Sequence, residues 1–191
     1  MSLSAPLFLL AVLAALLTLL APARASTWLK TGKETSRPYG HVDYCARNAS
    51  DCRNRSTGSS LPAPRIGVLS QINAAVNRTI KPTADKIAFG RTEFWTANAR
   101  SGDCEDFALA KRAKLMRSGF RPSDLLLTMG YKGNEAHTVL VVRTRDGDYV
   151  LDNLDDAVQP VQSSRMSFRK IQAPDHGGRW LSVTGKTGKA P

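Results

Sequence analysis

The sequence predicts an α+β fold, and three observations carry that expectation. In IGVLSQINAAVNRTI, Ile66, Leu69, Ile72 or Asn73, Val76 and Ile80 return at three- and four-residue spacing, the mark of an amphipathic helix. Residues 104–117 are rich in strong helix formers. Beyond Pro122 the pattern changes to alternation and short β-branched runs separated by turn residues. A helical layer followed by an antiparallel meander is the architecture this order implies. There is no internal repeat.

Each element follows in turn. Ala5–Leu20 is sixteen residues of uninterrupted apolar sequence, and Ala23-Arg24-Ala25 follows as a small-x-small site. Residues 1–25 therefore read as a secretory signal peptide. The first four residues carry no Lys or Arg, so an uncleaved N-terminal membrane anchor is the rival reading. Both leave the remaining chain outside the cytoplasm, periplasmic or secreted. Residues 26–65 read as an irregular N-terminal segment, with STGSSLPAP as turn material. The helix from Ile66 ends before Pro82, and residues 83–100 are expected to form loop and a short helical turn. In SGDCEDFALAKRAKL, Ser101 and Asp103 are capping candidates, so a helix is expected from about Cys104 to Arg117, stopping at Ser118-Gly119. Strands are expected at Asp124–Met129, Ala136–Arg143, Tyr149–Asn153 and around Phe168–Ile171. The domain is thus bounded at 66–183, with 184–191 as a flexible tail.

The formal net charge is +11 for 27 Lys+Arg against 16 Asp+Glu. Such a balance favours acidic partners. The basic residues are scattered rather than blocked with aromatics, however, so nucleic acid is not an expected partner. Of three cysteines, Cys45 and Cys52 lie seven apart in a polar segment. In an oxidising compartment that local pair is expected to close a disulfide, in preference to a metal site. Cys104 is then left free.

A free cysteine at a helix start is a core residue, a metal ligand or a nucleophile. A nucleophile needs a base, and the base an orienter. Of the three histidines, His41 lies in the early loop and His176 in a late turn, whereas His137 opens an apolar strand. Asp152 places a carboxylate inside the apolar run VLDNL, which is costly unless it is paired. The first turn of a helix lowers a thiol pKa. Asp103, Glu105 and Asp106 oppose this, so either an imidazolium or a hard cation must offset them. The hairpin register bears on the pairing. With a two-residue turn at Asp146-Gly147, Asp152 lies opposite Val141 and about 13 Å along the strand from His137. A loop centred nearer Arg145 brings the two within diagonal reach.

These residues resemble the bacterial transglutaminase-like cysteine proteinases, whose best-known members are periplasmic proteases that release large adhesins from the bacterial surface. The resemblance is carried by INAAVNRTI, the tryptophan of EFWTANARSG, GDCEDFALAKRAKLMRSGF, AHTVLVVRTRDGDYVLDNL and the late RW, from about Ile66 to Trp180. It implies a papain-like fold with the nucleophile helix packed on an antiparallel sheet. It also implies Cys104 as nucleophile, His137 as general base and Asp152 as orienter. Asp103 and Glu105 match carboxylates that bind calcium in the adhesin-cleaving members. Those members recognise a small-residue site, for which Trp95 is the candidate wall of a narrow pocket and equally a candidate core residue. A protein substrate at the cell surface or in the periplasm follows, as does an inner-membrane regulator of the kind the adhesin pathway uses. Two other functions stay open at this level. One is a non-catalytic module that binds peptide or cell wall; the other is amidase or transglutaminase-type acyl transfer.

Overall fold

A computed structural model describes residues 26–191, and the expected export segment, residues 1–25, lies outside them. Nine strands and four α-helices are found among the described residues. In chain order they are β1 (Trp28–Thr35), α1 (Tyr39–Arg47), α2 (Ile66–Thr79), β2 (Lys81–Pro82), α3 (Asp85–Ala88), β3 (Ser101–Gly102) and α4 (Cys104–Arg117). There follow β4 (Leu125–Lys132), β5 (Glu135–Thr144), β6 (Gly147–Asp152), β7 (Asp155–Pro160), β8 (Ser167–Gln172) and β9 (Trp180–Thr187). Seven strands form one sheet in the order β1-β9-β8-β4-β5-β6-β7, every neighbouring pair antiparallel. The expected α+β fold, helices packed on an antiparallel sheet, is the observed one.

The core explains why residues 139–142 form an unbroken apolar run. Successive side chains of a strand point to opposite faces. Leu140 and Val142 join Leu109 and Leu115 of α4, with Leu125, Leu127 and Leu151. Val139 and Val141 join Leu29, Leu126, Val150, Phe168 and Ile171 in a second cluster, which Val161 and Met166 of the β7–β8 connection help to complete. β5 is therefore buried on both faces, so either period would be misleading there.

The first part of the expected irregular segment 26–65 is ordered as β1 and α1, while residues 53–65 carry no helix or strand. β1 pairs with β9 and buries Trp28 and Leu29, while the positions beyond them are half-buried or exposed. Its register shifts twice, between Lys30 and Thr31 and between Thr31 and Glu34, as edge strands often do. α1 buries Gly40, His41, Tyr44 and Cys45, a face whose glycine, histidine and cysteine hide its helical period. Cys45 and Cys52 are joined in a disulfide. Beside them His41 is fully buried and receives a hydrogen bond from Trp180 Nε1 at Nδ1, 3.1 Å. Burial, with the Arg37 charge, pulls its ring down to about 3; it is a neutral core residue. The tail boundary also moves, because β9 continues through Thr187. β7, the other edge, was hidden by its polar sequence DDAVQP.

The hairpin takes the second of the two registers. Thr144 pairs with Gly147 and Leu140 with Leu151, leaving Arg145-Asp146 as the loop. Gly147 has φ +123, a conformation costly for any residue with a side chain. Continuing this register sets Asp152 opposite Val139, two residues from His137 on the same strand face.

Candidate active site

α4 begins where β5 begins and β6 ends. Its first residue, Cys104, lies with Sγ 3.4 Å from the Thr138 amide, which donates to it. Thr138 directly follows His137, so the packing of α4 on β5 brings the sulfur to the histidine's own stretch of backbone. The His137 ring is buried, and its Nε2 stands 2.7 Å from Asp152 Oδ1. The same oxygen accepts the Leu154 amide at 3.0 Å, and Lys132 Nζ donates to Oδ2 at 2.8 Å. Burial alone would raise the Asp152 carboxyl, but the bonds from His137 and Lys132 outweigh it and hold the group well below the usual carboxylate range. An ionised Asp152 can only accept, so Nε2 carries the proton in this arrangement and Nδ1 is left as the basic nitrogen.

The sulfur is in the opposite condition. Its thiol donates to Glu105 Oε2 at 3.2 Å, and among the described residues no hydrogen bond joins it to the His137 ring. Burial and the Glu105 charge push the Cys104 thiol well up, with only the Thr138 amide working against them. The helix N-terminus does not prevail here. A low-dielectric site beside carboxylates disfavours a thiolate more than the first-turn amides favour it.

Around the sulfur lies a knot of acids. Ligand-capable oxygens of Asp85, Asp103 and Asp106 lie within 4.8 Å of one another, as do those of Asp85, Glu93 and Glu105. Asp103 occupies the N-cap position of α4 but makes no capping hydrogen bond. Burial raises Asp106 to about 7 against the Thr96 amide, with Asp85 and Asp103 adding to the rise, and raises Asp85 to about 6 against the Phe94 amide. Glu105 is pushed up by burial and by its hydrogen bond with Asp103. Asp85 Oδ1, Asp103 Oδ1 and Asp106 Oδ2 are buried without a hydrogen-bond partner among the described residues. A Cβ at residue 102 would collide with the Asp106 carboxylate, so Gly102 is what lets the acid in. This all-oxygen donor set with orphaned atoms fits a hard cation such as calcium.

Trp95 does not wall a pocket. It is 1% exposed and belongs to the main core cluster, with Nε1 donating to Glu93 at 3.0 Å. A large ring between α1 and the sheet is worth more as buried area than as a groove lining. A polar cavity of about 350 Å³ borders Asp152 and is lined by Lys132, Asp155, Gln159, Ser163 and Arg165 among others, with neither Cys104 nor His137 in its wall. Lys132, Asp85 and Glu93 were not foreseen from sequence. Asp85 and Glu93 come from an irregular stretch with no spacing signal, and Lys132 reads as an ordinary strand-end lysine.

Comparison with known proteins bears on this geometry. Residues 31–188 match the family described as bacterial transglutaminase-like cysteine proteinase. No curated protein sequence matches the chain. Among solved structures, Legionella pneumophila LapG is similar with TM-score 0.50 at 23% identity, over 60% of this chain and 67% of that one. Its calcium-bound form is similar with TM-score 0.51 at 23% identity, over 64% and 71%. Its EGTA-treated form has TM-score 0.50 at the same identity, over 60% and 65%. At this identity the likeness establishes the fold.

Proposed function

The chain belongs to the bacterial transglutaminase-like cysteine proteinases, and from that premise we propose that it is an exported endopeptidase acting through Cys104, His137 and Asp152. It is a transglutaminase-like cysteine peptidase by family; the triad, the substrate and the location are our reading. The observation that carries it is the His137–Asp152 hydrogen bond of 2.7 Å, made beside the Thr138 amide that donates to the Cys104 sulfur. A lapsed binding module has no need to hold a histidine ring against an ionised carboxylate next to a free thiol.

The chemistry is acyl transfer. His137 Nδ1 takes the Cys104 proton while Asp152, accepting from Nε2–H, holds the tautomer that makes this possible. The sulfur forms a bond to the peptide carbonyl carbon, and the oxyanion is met by the first-turn amide of α4. As the C–N bond breaks, His137 returns its proton to the leaving amine. Water, deprotonated by His137, then cleaves the thioester and regenerates the thiol. The polar cleft beside Asp152 suits an extended substrate backbone with polar side chains. Water rather than an amine as acceptor makes this hydrolysis instead of cross-linking.

Asp103 and Glu105, joined by Asp85, Asp106 and Glu93, would hold calcium, which supplies positive charge to a cluster that otherwise raises the thiol pKa. A calcium-bound form of a solved structure with the same fold supports the choice of ion. The domain runs from β1 to β9 as one unit, behind residues 1–25 as an export signal. No helix of the described residues is long and apolar enough to cross a membrane. The substrate is a protein at the cell surface or in the periplasm, and an inner-membrane regulator fits the same setting.

The test compares proteins released from cells carrying the wild type or Cys104→Ala. Fragments of at least one surface protein should appear only with the wild type, and purified enzyme should cleave that protein at least about 10³-fold faster than the variant. Identical release profiles, together with no cleavage by the purified wild type, would overturn the reading.

A further inference from the structure

The turn that carries Asp152 is held from inside the protein by polar groups that the chemistry above does not use. Asn73 of α2 is fully buried, and its Nδ2 donates to the carbonyls of Asp155 and Asp156 at 2.8 and 3.0 Å. Asn77, one turn on, donates to the Asp152 carbonyl at 3.0 Å and to Asp156 Oδ1 at 2.8 Å. Lys111 of α4 is 0% exposed, and its Nζ has no hydrogen-bond acceptor among the described residues. The carboxylates that act on it are those of Asp152 and Asp156. The buried side-chain oxygens of Asn73, Asn77 and Asn153, all at or near this turn, likewise have no donor among the described residues.

Lys111 follows Cys104 by seven residues, so two turns of α4 set both on one helix face. The Phe107 ring lies between them in sequence, its centroid 5.9 Å from Nζ. Burying an ammonium is costly, and a methionine of similar shape would fill the space without that cost. Burial pulls Lys111 down to about 7 even though the two carboxylates oppose the shift. A group kept at such expense against the turn of the orienting acid asks for a role there.

We infer that Lys111 is a positioning residue of the peptidase, a buried amine whose interaction with Asp152 and Asp156 draws their turn onto the helix bearing Cys104. Nucleophile and orienting carboxylate then move as one unit, with Asn73 and Asn77 latching the turn backbone from α2. Lys132 of β4 holds the same carboxylate from the solvent side, and Asp155 and Asp156 are the other charges on the turn. The inference rests on the triad reading, and its test separates the two.

The protein, Lys111→Met, Lys111→Gln and His137→Ala are compared by two measurements. One is the downfield NMR resonance of the His137 Nε2 proton bonded to Asp152. The other is the rate of iodoacetamide alkylation at Cys104, the single cysteine outside the disulfide. Lys111→Met is expected to fold with an unchanged or higher Tm. It should lose or broaden the downfield resonance and alkylate about tenfold more slowly or worse. A Lys111→Met protein with native resonance and native alkylation, altered only in Tm, overturns the proposal. So does failure of both Lys111 variants to fold, which would make the lysine a folding requirement. His137→Ala alkylating at the wild-type rate would instead sink the triad reading.

Discussion

The two halves of the site are built in opposite ways. On the β5–β6 side the carboxylate is fully answered. Asp152 accepts from His137, Lys132 and the Leu154 amide, and its carboxyl is held low. On the α4 side, charges of one sign are packed together. Asp103 and Glu105 crowd a thiol that is pushed up, Asp85 and Asp106 cluster with Asp103, and three of these acids' oxygens have no partner among the described residues. The contrast teaches that the proposed base and its orienter are preorganised by the fold, whereas the proposed nucleophile sits among acids whose charge the described residues do not balance. A carboxylate knot of this kind is tolerable only where its charge is relieved by protonation or by a cation.

The largest expected effect breaks the satisfied half. Asp152→Ala should lower hydrolysis by about 10³-fold or more, since it removes the tautomer control of His137; a loss of only a few-fold would show that His137 is oriented by something else. The same variant carries a pH signature. A carboxyl held below its ordinary value contributes stability that is present above the unfolded pKa of about 4 and lost as pH falls through the folded value. The wild-type advantage over Asp152→Ala in urea unfolding should therefore shrink below pH 4, and an advantage independent of pH would contradict the ionised pair.

Relieving the frustrated half comes next. Calcium at a hundredfold excess over its Kd should stabilise the protein by about 2.7 kcal/mol in thermal unfolding. Asp85→Asn should blunt that response although Asp85 lies well before the nucleophile in sequence. A Tm unmoved by calcium or chelator would leave the acidic knot without its proposed ion. The smallest effect belongs to Lys132→Ala. This lysine's side chain is 35% exposed, and screened pairs of that kind contribute about 1 kcal/mol or less. A severe loss of activity in this variant would mean that the solvent-side lysine, and not the buried one, sets the carboxylate.

How much was legible follows from where each element is buried. α4 and the β4–β6 strands could be read because their apolar residues report their own burial: Leu125–Leu127 and Val139–Val142 are fully or almost fully buried. β1 and β7 could not, because edge strands bury few side chains and are held by backbone pairing that any residue supplies. α1 was hidden for another reason. Its inward face is made of Gly40, His41, Tyr44 and Cys45, which a hydrophobic period does not register. Trp95, an aromatic beside a site motif that reads equally as pocket wall or core, packs in the core.

In the site, residue type and order identified Cys104, His137 and Asp152 as candidates. An imidazole opening an apolar strand and a carboxylate inside another are costly enough to mark themselves. The same reasoning found Asp103 and Glu105 unhelpful to a thiolate. It could not choose the hairpin register, because a one-residue shift of the turn is invisible in composition yet moves Asp152 two positions relative to His137. Nor could it join Asp85, Glu93, Lys111 and Lys132 to the site. Their chemistry depends on distance across elements remote in sequence, and side-chain identity carries no record of that distance. By itself the sequence determined which groups are expensive to bury; only the tertiary structure decided which of those costs are met by a neighbour and which await a ligand.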